Sequence, residues 1–189
     1  MYHISDDKRS RESSAWIYEA LVRLMETTTY ADIKITAICQ EAKIGRVTFY
    51  RHYDTIDDVL RKKCDEAFDG LIEFLFDYKK NAPDEPTFFL KPFLRYWYQN
   101  PTILKQLFQA GKANILGESF DTMLRKLRAT ISLRHPATKY SPYFFALRTT
   151  IPIAILAEWV KNGMDIPPDE LSETLLHQLK EVVKFNQMG

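Results

Sequence analysis

The sequence is poor in several features that would define a class. Only two cysteines, Cys39 and Cys64, occur in 189 residues. That excludes a disulfide framework, and neither stands in a CxxC or Cys/His pair with metal-ligand spacing. Both read as small apolar residues in a reducing compartment. Glycine is scarce, at 6 residues, which argues against an all-β chain full of tight turns. Neither sign of charge dominates: 26 basic residues face 25 acidic ones, for a net +1. The chain is therefore no general polycation, and any nucleic-acid role must come from a local basic surface. Long hydrophobic runs are missing too. The longest near-apolar stretch, Ile151 to Val160, contains Pro152 and Glu158 and falls far short of the ~20 residues of a membrane span. Met1 to Arg11 is polar and charged, without the apolar segment of a signal peptide. The expected location is the cytoplasm.

Catalytic signatures are also lacking. The four histidines, His3, His52, His135 and His177, are scattered, and no HExxH pattern joins any two of them. There is no GxSxG, no glycine-rich phosphate loop and no evident pair of facing carboxylates. Glu158 is the one acid whose apolar surroundings could perturb it by burial. No enzyme activity, metal or cofactor is expected.

What is present is helical periodicity. Hydrophobic residues make up 46% of the chain, and they recur at intervals of three or four. Ile17, Leu21 and Leu24 mark a first helix over Ser10–Thr27, which the run Thr27-Thr28-Thr29 should end. Ile35, Ile38, Cys39 and Ala42 form a second face. Lys43-Ile44-Gly45 is a three-residue turn, and a short third helix follows over Arg46–Tyr53. A long fourth helix carries Ile56, Leu60, Cys64, Ala67, Leu71, Leu75 and Tyr78, with Asp57 and Asp58 suited to its first turn. A loop is expected over Lys79–Pro86. Further helices are expected over Phe88–Tyr98, after Pro101, around Phe120–Ile131, over Tyr143–Lys161 and over Asp169–Phe185, with Gly111 and Gly117 loosening one join. No segment alternates with period two over a useful length. The fold class is all-α, with about nine helices.

The first three helices have helix-turn-helix form, in which the second helix of the pair enters a DNA major groove. Lys43, Arg46, Arg51 and His52 fall between Lys43 and Tyr53 without a single acid. Phe49 and Tyr53 share the inward side. Arg46, Val47, Thr48, Tyr50, Arg51 and His52 are left for the outward side and the end. Such side chains supply phosphate hydrogen bonds, guanine readout by arginine and methyl contact with thymine.

The run from Ile35 to Tyr53, with Thr48-Phe49-Tyr50-Arg51-His52-Tyr53 at its centre and Asp57-Asp58-Val59-Leu60 downstream, resembles the DNA-binding signature of the TetR family of bacterial transcriptional regulators. The likeness covers about residues 8 to 62; the remainder matches in layout alone. The C-terminal half also looks similar to regulators of the dihydroxyacetone-kinase activator type. The resemblance implies a DNA-binding domain over residues 1–55 and an effector-binding and dimerisation domain over 56–189. It implies that Thr36 touches phosphate near the start of the second helix, and that Arg46, Val47 and Thr48 read bases or adjacent backbone. Tyr50 and His52 would bond phosphates on the two sides of the groove, and Lys43 could add another. Arg46 suggests a guanine in each half-site. The chain departs from the family at Ile56, where lysine is frequent, and at Lys43 and Gly45. These two stand where the family usually has a turn glycine and a Ser or Thr cap; Gly45 would serve as a weaker cap.

The C-terminal part balances its charges and is rich in aromatic residues. The resemblance implies a pocket there for a small-molecule effector. Trp97, Phe108, Phe120 and Leu124 are the pocket candidates, each of which also fits a plain core position. The last two helices fit a homodimer interface, with Ile155, Trp159, Leu171, Leu175 and Leu179 as candidates, although burial within a monomer would also cover them. A two-fold dimer calls for a pseudopalindromic operator. The expectation is a regulator, by resemblance a repressor, with double-stranded DNA, a second copy and an effector as partners. The alternative is an effector-free adaptor acting through protein partners.

Overall fold

The first helix begins where a carboxylate can close it. Asp7 Oδ1 accepts the Ser10 amide at 2.9 Å, satisfying one of the donors a helix start leaves open. From there α1 runs over Lys8–Thr27 and stops at Thr28, whose backbone is extended, as the threonine run predicts. A 3-10 turn at Tyr30–Asp32 leads into α2 (Ile35–Glu41) and α3 (Arg46–His52). Then come α4 (Ile56–Asn81), α5 (Leu90–Gln99), α6 (Thr102–Gln109), α7 (Asn114–Arg134), α8 (Pro142–Lys161) and α9 (Pro168–Phe185). This computed structural model describes the backbone of residues 1–4, 7–81, 89–134 and 142–185, and the side chains of these except 128–134, 142–145, 147–148 and 179–185. Among the described residues the architecture is all-α with nine α-helices. Their one extended pairing is a single antiparallel bridge between Tyr2 and Tyr53.

Two expectations about boundaries change. Lys79 and Lys80 belong to the last turn of α4 instead of a loop, where cations favour the negative end of the helix dipole. Gly117 lies inside α7, so the join before that helix rests on Gly111, with φ at 67°, a value glycine adopts without steric cost. The rest of the expected Lys79–Pro86 loop and the His135–Pro142 connection lie almost wholly outside the described residues.

The chain forms two compact units. The first comprises Met1–Ala67 and Thr102–Lys126. Its core holds Ile17, Leu21, Ile38, Phe49, Tyr53 and Leu60, each essentially without solvent exposure. Burying a side chain of this size contributes about 1.5–3 kcal/mol. Polar links join α6 and the start of α7 to the head. Tyr18 Oη donates to Gln106 Oε1, and Gln109 Nε2 to the Met25 carbonyl at 2.8 Å. Lys112 pairs with Asp57 at 2.8 Å and Arg61 with Glu118 at 2.7 Å.

The second unit comprises Phe68–Pro101 and the chain from Leu127 onward. In it α5 packs along α9, where the Arg95 guanidinium takes both carboxylate oxygens of Asp169 at 2.5 Å. Trp97 sits fully buried with its ring 5.1 Å from Phe68, 5.3 Å from Tyr96 and 6.3 Å from Phe93. At Gly70 a Cβ would come within 2.7 Å of the Tyr96 hydroxyl. The missing side chain is what admits that tyrosine.

Candidate nucleic-acid interface

The turn between α2 and α3 has a defined closure. Ile44 N–H donates to the Cys39 carbonyl at 3.0 Å and Lys43 N–H to that of Gln40 at 3.2 Å. This is the paired closure that places one residue in the left-handed region. That residue is Lys43, with φ at 55°, where an L side chain costs about 1 kcal/mol relative to glycine. Gly45 then caps α3 with extended backbone and no side-chain hydrogen bond. A Cβ there would meet nothing within 4 Å, so a hydroxyl cap is sterically allowed but absent.

Over α3 the inward and outward sides separate as the spacing requires. Phe49 and Tyr53 are buried, and their rings lie 5.8 Å apart. Tyr53 Oη meets Ser14 Oγ at 2.5 Å, fixing the end of α3 to α1. Burial pushes the Tyr53 phenol up to about 12, with the Ser14 bond opposing. Val47 is 75% and Tyr50 54% exposed, although both are large and partly apolar. Arg46, Arg51 and Lys43 are exposed as well, and Thr48 is half-buried. Thr36 is exposed in the first turn of α2.

His52 is the exception. Its side chain is buried at 3% exposure, with Nδ1 3.4 Å from Ser10 Oγ. Burial first and the Arg51 charge second hold its pKa below the usual histidine value, against Asp7. The expected outward placement fails because α1 passes over this end of α3, a tertiary contact that helical spacing within α3 does not register.

The charge pattern is uneven across this unit. Lys8, Arg23, Arg61, Lys62, Lys63 and Lys112 each pair with a carboxylate. Lys43, Arg46 and Arg51 make no ion pair among the described residues, and neither does Arg9 of α1. A cleft of about 890 Å³ lies between α1, the turn and α3. Lys43, Gly45, Thr48, Arg51 and His52 line one side of it, and Arg9, Glu12, Ser13 and Trp16 line the other. Sequence reasoning missed the α1 wall. The available signal was the i, i+3, i+4, i+7 spacing of those four residues, which places them on one stripe of α1 bordering the buried Ile17.

The effector candidates do not fall in one unit: Trp97 belongs to the second, and Phe108, Phe120 and Leu124 to the first. Trp97 and Phe120 are fully buried, Phe108 and Leu124 half-buried. Trp97 Nε1 is buried with no hydrogen-bond partner among the described residues.

Four of the five interface candidates come together. Ile155, Trp159, Leu171 and Leu175 line one groove of about 350 Å³ between α8 and α9. The side chain of Leu179 lies outside the described residues. Glu158 also reaches this groove, but its side chain is 69% exposed and pairs with Lys161 at 3.4 Å. It stands on the open side of α8 and not in apolar surroundings.

Among the described residues, no three His, Cys, Asp or Glu side chains stand together to hold a metal. No helix among them is long and apolar enough to cross a membrane. No protein-family model and no curated protein matches the chain. Among solved structures, that of Lin0861 from Listeria innocua is similar, with a TM-score of 0.74 at 21% identity over 95% of each chain. At that identity the likeness is one of fold.

Proposed function

We propose that this chain is a TetR-like transcriptional regulator, acting in the cytoplasm as a repressor rather than as an enzyme. A homodimer would place two copies of α3 in successive major grooves of a pseudopalindromic operator. The observation that carries the reading is the exposed surface of α3 and its turn. Arg46, Val47, Tyr50 and Arg51 stand open to solvent with Lys43, and no described carboxylate pairs with the three cations. An unpaired cation releases counterions when it meets a phosphate, and Arg46 near the start of α3 is placed to reach a guanine edge.

Two further observations support the remaining parts. The groove formed by Ile155, Leu171 and Leu175 over Trp159, which is already buried within the chain, is an apolar surface that a two-fold copy could cover. The unsatisfied Trp97 Nε1 is a donor that an effector carrying an acceptor could satisfy. An effector would act by favouring one arrangement of the two DNA-reading heads over another.

The test is binding to the DNA flanking the protein's own gene, followed by fluorescence anisotropy across a salt series with a random-sequence duplex as control. Sequence-dependent binding that Arg46→Ala and Thr48→Ala abolish, with helical circular dichroism unchanged, is the expected result. Unchanged affinity in both variants would remove the assignment.

A further inference from the structure

We infer that the cleft between α1 and α3 is a second part of the nucleic-acid surface, in which the α1 wall seats the sugar-phosphate backbone beside the groove that α3 reads. The inference rests on the DNA-binding reading above and extends it to residues outside the helix-turn-helix pair.

The geometry is specific. Arg9, Glu12, Ser13 and Trp16 stand on one stripe of α1 and face Lys43, Thr48 and Arg51 across about 890 Å³. Trp16 is 48% exposed. A large indole left open on the wall of a polar cleft offers both an apolar face for a deoxyribose and an N–H donor for a phosphate oxygen.

Charge complementarity decides the occupant. Asp7 is engaged in capping α1 through the Ser10 amide. Glu12 lies 3.9 Å from Lys8, and His3 lies 3.2 Å from Asp54. His52 is held toward its neutral form. Arg9, Lys43 and Arg51 are then the cations of the cleft without an ion pair among the described residues, and they lie on both of its walls. A polyanionic strand satisfies all three at once.

Lys43 adds an independent indication. It occupies the left-handed position of the turn at φ 55°, where glycine would be unstrained. Strain of this kind clusters at functional sites, and Lys43 lines the cleft.

The experiment uses the full chain and a random-sequence DNA duplex, because backbone contacts are independent of sequence. Affinity is measured over a salt series, and tryptophan emission is recorded during the titration. Arg9→Gln should lower the slope of log K against log salt by about one. Glu12→Gln should tighten binding, since it removes the opposing carboxylate. Trp16→Phe should abolish most of the emission change that the duplex causes in the parent chain. Duplex binding with an undiminished slope in Arg9→Gln, and an emission change that survives Trp16→Phe, would overturn the inference while leaving the DNA-binding reading intact. Absence of any duplex binding by the parent chain at low salt would overturn both. An acidic peptide that binds the parent chain but not Arg9→Gln, and that leaves duplex affinity unchanged, would make the cleft a protein-binding site and would also overturn it.

Discussion

The hydroxyl of Tyr18 in α1 donates to Gln106 Oε1 in α6 at 2.5 Å, across 88 positions of sequence. Gln106 is buried at 8% exposure, so the bond ties a helix distant in sequence to the three-helix head. The same unit carries the Gln109–Met25, Lys112–Asp57 and Arg61–Glu118 links. Tyr18→Phe leaves the Gln106 amide buried without that donor, which costs about 1–3 kcal/mol. A lowered urea midpoint is the expected result, and an unchanged midpoint would show that solvent already satisfies the amide.

Lys43 separates stability from binding. Lys43→Gly relieves the left-handed strain at φ 55° while adding some entropy to the unfolded chain, for a net gain of up to about 1 kcal/mol. Duplex affinity should fall at the same time. A thermal melt and a DNA titration on one preparation check both directions. A variant that loses stability would mean the lysine side chain holds the turn.

His52 sets an acid limit on the head. Burial holds its pKa below the ordinary histidine value when folded, whereas in the unfolded chain it takes a proton near pH 6.5. Below that value the unfolded state binds more protons, so stability falls as pH drops toward the depressed folded pKa. His52→Gln should flatten this part of the profile. Melting temperatures from pH 7.5 to 5 provide the comparison, and parallel profiles would be inconsistent with a buried neutral ring.

The α8–α9 groove predicts oligomeric state. Ile155, Trp159, Leu171 and Leu175 share it, and a lysine at position 175 would place an unpaired charge where a second copy is expected to sit. The parent chain should scatter light as a dimer of 22.2 kDa subunits and Leu175→Lys as a monomer. A monomeric parent would end the dimer proposal.

The elements and the polarity of α3 were legible because both depend on residues close in sequence. Three- and four-residue spacing fixes which side chains share a helix face. Phe49 and Tyr53 are four apart, and both are buried. Lys43 in place of a turn glycine and Gly45 in place of a hydroxyl cap were visible as departures from a familiar pattern, since turn closure involves adjacent peptides; the left-handed φ of Lys43 is in the structure alone. The helix ends were less exact. Lys79 and Lys80 continue α4, because the prolines that suggested a loop act on the residues next to them and not several positions earlier.

The sequence by itself determined that the chain is all-α, where its helices lie, and which side of α3 carries charge. The tertiary structure decided what no spacing contains. It buried His52 beneath α1 and brought α6 to Tyr18. It set Arg9 and Trp16 across a cleft from Lys43, and left Glu158 in solvent. Periodicity reports the face a residue occupies on its own helix. Burial and pairing depend on which other helix covers that face, and that partner is selected by packing between segments far apart in the chain.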